Sequence, residues 1–247
     1  MRRGLIRSIC VSVVLWPLVT WGSEAVSLER NLSLMGTYVH IAVTAPTRER
    51  AAVASERIVK ELEAADAELS TWKSESPLSR INKLKTGSSY KVSPQMAADL
   101  SEALKCQQST ERYFNPLLGK LIAVWKLRTS KPVIDPPAAE VKQALRPRNE
   151  SAFIIDRHEV TRRVDGSDWE EGGFGKGAAL DRALVAVTES DVRVVINLGG
   201  QLAVSPGRPL RTALGTVALS IDRGSISTSG HVHRPGHILD PTTGRAA

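Results

Sequence analysis

Two stretches of the sequence hold residue types that can do chemistry, and the first is GGFGKGAALD. It places Gly172, Gly173, Gly175 and Gly177 around Lys176. Glycines let a backbone approach a ligand closely, and a lysine at the start of a helix adds positive charge there. The combination favours a phosphate or pyrophosphate ligand, although the spacing matches neither a P-loop nor a dinucleotide-binding fingerprint. A glycine-rich turn without a ligand explains the same residues.

The second stretch is SISTSGHVHRPGHILDPTTGRAA, where hydroxyl groups precede His237 and Asp240. A neutral imidazole titrates near neutral pH and can accept a proton from a hydroxyl group. One interpretation is a serine hydrolase that uses Ser227 or Ser229 with His237 and Asp240, but no nucleophile-elbow pattern surrounds either serine. Another is a polar turn that leads into a last edge strand, in which Asp240 caps the turn. Both interpretations stay open at this point.

The first 23 residues predict a secretory signal peptide. A basic start with Arg2, Arg3 and Arg7 precedes a short apolar run and the small residues Gly22 and Ser23. We therefore expect an exported, periplasmic protein, attached to the inner membrane only if the signal stays uncleaved. Part of the +7 net charge belongs to this segment, which weakens a nucleic-acid function. Cleavage would leave a single cysteine and therefore no intrachain disulfide.

The remaining chain, residues 24–247, predicts an α+β (mixed α/β) fold. Alternating apolar residues predict a strand over Thr37–Thr44, and a helical pattern follows it up to about residue 70. Further helices are predicted after Ser76, over 94–108, after Asp135 and in the apolar stretch that contains Trp125, a predicted core residue. The second half predicts a short hairpin, the helix after the glycine loop, and several strands. Helices early and strands late suggest two lobes that divide near residue 150.

Five motifs in order make the chain similar to one known family. MGTYVHIAV, LSTWKSESPLSRIN, GGFGKGAALDRA, INLGG and SISTSG…HILDPTTG resemble the motifs of the FAD:protein FMN transferase (ApbE) family, from Met35 to Gly244. The resemblance implies a bilobed flavin transferase fold with the FAD site between the lobes. It implies that FAD is split and that FMN passes through a phosphoester bond to a threonine or serine of a flavin-acceptor protein. Mg²⁺ is the implied metal, and a subunit of a membrane redox complex is the implied acceptor.

The resemblance also implies roles for individual residues. Met35 would pack against the flavin or adenine, and Trp72 would stack on a ring. Lys176 would face the nucleotide, the carbonyl of Gly173 would bind the metal, and His237 would be the general base. The other implied nucleotide contacts are Tyr113, Phe114, Asn115, Glu170 and the backbone of Ile238.

The sequence departs from the family pattern at several places. Asn115 and Glu170 stand where the family has aspartate, and Gly236 replaces the first of two adjacent histidines. Family members usually continue through a strand and a helix whose Asp and Thr complete the metal site, and we expect this chain to lack them. A catalytically weak or inactive FAD-binding paralogue is therefore the alternative function.

Overall fold

The structure is a computed structural model, and it describes residues 25–145, 152–206, 210–214, 217–230 and 236–247. The predicted signal peptide lies outside the described residues, so its cleavage stays a prediction. Within the described ranges, no helix is long and apolar enough to cross a membrane.

Helices and strands both contribute to the fold, as the sequence predicts. The helices are α1 (Arg48–Leu69), α2 (Pro77–Asn82), α3 (Pro94–Ser109), α4 (Gly119–Val124), α5 (Ala138–Leu145) and α6 (Gly175–Val185). The strands are β1 (Val26–Leu34), β2 (Thr37–Ala45), β3 (Ser89–Lys91), β4 (Phe153–Asp156), β5 (Glu159–Arg162), β6 (Arg193–Leu198), β7 (Gln201–Val204), β8 (Leu210–Leu214), β9 (Val217–Ile221) and β10 (Gly224–Ile226). The mixed α/β class is therefore confirmed.

The chain forms two compact units, but they do not divide near residue 150. Among the described residues, the first unit takes 25–33, then Thr37–Ile58 and Leu184–Ser227. The second takes Leu34–Gly36, Val59–Ala183 and Thr228–Ala247. The predicted boundary is wrong because β2, near the start, pairs antiparallel with β6, near the end, so each unit is built from separated segments.

A five-stranded sheet organises the first unit, with the strand order β1-β2-β6-β7-β10. Side chains of β2 and β6 alternate between buried and partly exposed positions, as a sheet with one face on the core requires. The sequence suggests one strand interrupted by Gly199 and Gly200, whereas the structure has two paired strands. Both glycines have positive φ, 58° and 89°, which suits the two-residue turn of a hairpin.

The second unit holds helices around a small sheet, β3-β5-β4. Ser76 accepts a hydrogen bond from the N–H of Ser79 at 3.1 Å, so the predicted N-cap of α2 is confirmed. The helix predicted around Trp125 is short, since α4 ends at Val124. Trp125 itself is buried as predicted, and its indole N–H donates to the carbonyl of Gly244 at 2.8 Å.

Candidate active site

The glycine loop begins with a capped turn in the second unit. Glu170 precedes a 3-10 turn over Glu171–Gly173, and its side chain accepts a hydrogen bond from the N–H of Gly172 at 3.3 Å. Helix α6 then begins at Gly175. A carboxylate at such an N-terminus is stabilised by the N–H groups that have no partner inside the helix. The loop and the helix after it therefore match the sequence prediction.

Glycine is needed in this loop because other side chains press against it. A Cβ added at Gly173 would lie 3.0 Å from Cε2 of Phe114. One added at Gly175 would lie 3.1 Å from Cβ of Glu171 and 3.4 Å from Cε of Met35. Met35 and Phe114 are far from the loop in sequence, so the fold brings together residues that the family resemblance names separately.

Met35 reaches the loop from an uncommon backbone conformation. It occupies the two-residue connection between β1 and β2 with a φ of 51°, followed by Gly36 at 68°. Residues other than glycine adopt positive φ rarely, because Cβ crowds the backbone there. The MG pair therefore marks a tight turn that places the methionine side chain beside Gly175.

Lys176 lies in the first turn of α6, and it is only partly buried. Among the residues that the structure describes, its ammonium group has neither an ion pair nor a hydrogen bond. An unpaired cation beside the positive end of a helix attracts an anion. The predicted position of Lys176 at a helix start is thus confirmed, while its contact with a nucleotide stays a prediction.

Sequence reasoning missed Arg128, which lies beside the glycine loop. Its guanidinium donates to the carbonyl of Thr71 at 3.0 Å and to the Thr71 hydroxyl. It also pairs with Glu170 and, at 3.3 Å, with Glu171. The same group lies 5.2 Å from the ring centre of Trp72, a cation–π distance. No motif surrounds Arg128 in the sequence, so only the structure could place it here.

Electrostatics at this cluster are governed by two adjacent carboxylates. Burial raises the pKa of Glu170, and the neighbouring charge of Glu171 raises it further. The ion pair with Arg128 and the N–H of Gly172 act in the opposite direction. One guanidinium therefore pairs with two partly buried carboxylates. The net result is a pKa of Glu170 above its ordinary value.

A cavity of about 670 Å³ opens next to the cluster, inside the second unit. Trp72, Arg128 and Glu170 contribute to its wall. The remaining lining residues are Thr71, Ser74, Ser79, Asn82, Lys83, Gly119, Lys120, Ile122, Ala123, Lys126, Thr129, Asp168 and Trp169. Its volume lies within the range of small-molecule sites, and its wall mixes aromatic, cationic and amide groups.

Other predicted contact residues have local roles that the structure explains. Asn115 is buried, and its side-chain oxygen accepts the N–H of Leu117 at 2.8 Å, so it stabilises a turn as an aspartate would. Tyr113 is 77% exposed. Neither observation tests a contact with a nucleotide, which stays a prediction for both residues.

The C-terminal turn is held by Asp240. Its carboxylate accepts the N–H and the hydroxyl of Thr242, both at 2.6 Å, and the N–H of Thr243 at 3.3 Å. These donors lower the pKa of Asp240 to about 2. The turn-capping interpretation is therefore confirmed. His237 and Ile238 lie partly buried just before it, and the carbonyl of Ile238 accepts the N–H of Ala247 at 2.9 Å.

A magnesium site would need several oxygen ligands in one place. Within the described residues, no group of three or more His, Cys, Asp or Glu side chains is arranged to hold a metal ion. Glu170 and Glu171, which precede Gly173 in the same turn, already pair with Arg128. The described residues therefore do not fit a complete Mg²⁺ site, and the Gly173 carbonyl would supply one ligand at most.

Known proteins match the chain in both sequence and structure. Its sequence is 26% identical to the FAD:protein FMN transferase of Escherichia coli K12 over 256 residues, which covers 93% of this chain and 72% of that protein. The transferase of the same name from Salmonella typhimurium is also 26% identical, over 99% of this chain and 79% of that protein.

Solved structures give the same fold. The ApbE protein of Thermotoga maritima superposes with a TM-score of 0.79 at 22% identity, over 90% of this chain and 78% of that chain. The apo flavinyl transferase ApbE of Pseudomonas stutzeri does so with a TM-score of 0.77 at 20% identity, over 90% and 76%. The profile described as the ApbE family matches residues 35–247. This chain therefore belongs to the ApbE family.

Proposed function

We propose that the protein transfers FMN from FAD to a hydroxyl group of a target protein. The observation that carries the proposal is the family match over residues 35–247, within which the glycine loop presents Lys176 without a partner among the described residues. FAD is the substrate, and a flavin-acceptor protein is the second substrate. A threonine or serine of that protein supplies the hydroxyl group.

The reaction is a phosphoryl-type transfer. The acceptor oxygen forms a bond to the phosphorus of the FMN half, the bond between that phosphorus and the bridging oxygen breaks, and AMP leaves. Lys176 would neutralise charge on the pyrophosphate, which stabilises the transition state. His237 would take the proton of the attacking hydroxyl. The products are AMP and a protein that carries FMN in a phosphodiester.

We also propose Mg²⁺ as the metal ion of this reaction. When bound, a divalent cation would offset negative charge on the pyrophosphate. Because the described residues do not form its site, no step assigned to Lys176 or His237 depends on the ion. Transfer measured with added Mg²⁺ and again with EDTA tests the requirement.

The central experiment mixes protein, FAD and a threonine-containing acceptor domain, then looks for a fluorescent acceptor band and its mass. We expect an acceptor heavier by one FMN. The variant His237→Ala should bind FAD as the wild type does but lose transfer by about 10²–10⁴-fold, the usual contribution of a general base. Transfer at the wild-type rate would remove His237 from the mechanism.

A second experiment tests the phosphate loop. The variant Lys176→Ala should bind FAD more weakly in titration calorimetry, because one cation facing the pyrophosphate is lost. Lys60→Ala, on the exposed part of α1, is the matched control and should bind as the wild type does. Equal affinity for wild type and Lys176→Ala would contradict the pyrophosphate assignment.

Two alternatives predict different results. A weak or inactive FAD-binding paralogue would retain FAD and label no acceptor, but the relatives from Escherichia coli and Salmonella typhimurium are both called FAD:protein FMN transferases and lend it no support. A serine hydrolase would bind no FAD. Its proposed acid, Asp240, is engaged by Thr242 and Thr243, which disfavours that function.

We further propose where the protein works and with whom. The basic start and apolar run of residues 1–23 support export to the periplasm, with inner-membrane attachment if the signal is uncleaved. The acceptor would then be a subunit of a membrane redox complex. Cell fractionation of the full chain, with mass determination of its mature N-terminus, tests the location.

A further inference from the structure

One arginine joins two segments that are far apart in the sequence. Arg128 contacts Thr71 and Trp72 on one side and the pair Glu170–Glu171 on the other. The guanidinium is planar and carries five donors, so it can hold a carbonyl and two carboxylates at once while one face lies against an aromatic ring. An ammonium group offers a point charge and cannot make this set of contacts.

The contacts of Arg128 continue into the glycine loop. Glu170 accepts the N–H of Gly172, and the Thr71 hydroxyl donates to Glu171. Cβ of Glu171 in turn lies 3.1 Å from where a Cβ of Gly175 would be, at the start of α6. A displacement of the two glutamates would therefore move the loop that presents Lys176.

Arg128 also restrains Trp72. The Trp72 side chain is 65% exposed, so little packing fixes its ring, and the guanidinium at 5.2 Å is a defined contact on one face. Both Trp72 and Arg128 line the cavity. A ring held on one face can stack on a flat ligand with the other.

We propose that Arg128 is a positioning residue for FAD binding, which holds the Trp72 ring and the glycine-loop carboxylates in one arrangement around the cavity. The proposal rests on the proposed function, because it takes FAD as the ligand. Arg128 acts through Trp72, Glu170 and Glu171, and no contact of its own with FAD is required.

The test compares FAD affinity in the variants Arg128→Met, Arg128→Lys and Arg80→Met. Arg80 is the matched control, since it forms an exposed pair with Glu75 in the same unit. We expect Arg128→Met to raise the FAD dissociation constant by about tenfold, and Arg128→Lys to recover little of it because the forked geometry is lost. Arg80→Met should bind as the wild type does.

A double-mutant cycle separates positioning from a loss of fold. If Arg128 acts through the ring, the dissociation constant of Arg128→Met/Trp72→Phe should rise by less than the product of the two single effects. Independent effects that multiply, or full recovery by Arg128→Lys, would overturn the proposal. Thermal unfolding of each variant checks that the protein used in the FAD titrations is folded.

The outcome is distinguishable from failure of the proposed function. FAD binding is measured without an acceptor protein. A wild type that binds FAD but never labels an acceptor therefore contradicts FMN transfer, while the FAD affinities of the Arg128 variants can still be compared. A wild type that transfers FMN, with Arg128→Met binding FAD equally well, contradicts only the role of Arg128. A wild type that does not bind FAD contradicts both.

Discussion

The second unit contains two clusters of the same composition, one arginine with two carboxylates, in different settings. Arg182 of α6 pairs with Glu68 of α1 at 2.8 Å and with Asp99 of α3 at 2.7 Å, and its side chain is 2% exposed. Arg128, whose side chain is 28% exposed, pairs with two consecutive residues of a loop. The first cluster joins helices, and the second lines a cavity.

Geometry separates the roles of the two clusters. The partners of Arg182 come from two different helices, so its hydrogen bonds join α6 to α1 and α3. Both arginines face two like charges, but the partners of Arg128 are adjacent in sequence, and burial together with the charge of Glu171 raises the pKa of Glu170. A charge arrangement that costs stability beside a cavity is typical of a functional site. Helix packing alone does not require such an arrangement.

The largest expected effect comes from removing the buried arginine. Arg182→Met leaves Asp99 and Glu68 without their cation, so we expect a loss of about 3–5 kcal/mol in the free energy of unfolding, measured by urea denaturation. The FAD affinity of the folded fraction should stay the same. A large loss of FAD affinity with little loss of stability would erase the distinction between the two clusters.

An exposed arginine is the control for this variant. Arg57 pairs with Glu189 at 2.8 Å on the surface of the first unit. Arg57→Met should cost no more than about 1 kcal/mol, the upper part of the usual range for exposed pairs. If Arg57→Met and Arg182→Met lose equal stability, burial is not what gives Arg182 its importance.

The second prediction concerns the repulsion inside the Arg128 cluster. Glu171→Gln removes one negative charge but keeps an oxygen that can accept the Thr71 hydroxyl. The pKa of Glu170 should fall towards its ordinary value, because a charge that raises it is gone and Arg128 has one carboxylate left to serve. Carbon-13 NMR titration of the Glu170 carboxyl group measures this. Glu75→Gln, at the exposed pair with Arg80, should leave that pKa unchanged.

Patterns local in sequence predicted much of the fold. The starts of α2 and α3 follow from their Ser-Pro caps, such as Ser76 before Pro77, and the extent of α1 follows from apolar periodicity. Strand β1 was missed although Val26, Leu28, Leu32 and Leu34 alternate with more exposed residues, a pattern typical of a strand. The short strand β3 was missed because only its pairing with β5 defines it.

The site was predictable only where a motif marks it. The glycine loop and Lys176 are recognisable from glycine spacing, and Met35 and Phe114 from the family resemblance. Arg128 and the triad around Arg182 depend on contacts between residues 42 to 114 positions apart, which no local pattern encodes. The division into units failed for the same reason, since long-range strand pairing decides it.

The third prediction concerns Asp240, whose carboxylate is stabilised by neutral donors and not by an arginine. Neutral donors, Thr242 first and then Thr243, lower the pKa of Asp240 to about 2 from 3.8. A depressed folded-state pKa contributes stability above pH 3.8 that is lost as the pH falls towards 2. In the variant Asp240→Asn, the free energy of unfolding should therefore fall less steeply as the pH is lowered over that range. An unchanged pH dependence would show that the turn donors do not hold the ionised form.

The smallest expected effect is at Asp181, beside Arg182 but outside its triad. Partial burial and the charges of Asp99 and Glu102 raise its pKa, so its ionisation costs the folded state some stability above pH 3.8. Because Asp181 is largely open to solvent, the charges are screened, and Asp181→Asn should add at most about 0.5 kcal/mol at pH 7. The gain should shrink as the pH falls through 3.8 and vanish well below it, where Asp181 is protonated in both states. Urea unfolding at pH 7 and pH 3 measures this gain in the free energy of unfolding. A variant that is less stable than the wild type at pH 7 would show that the ionised Asp181 makes a net favourable interaction in the folded state.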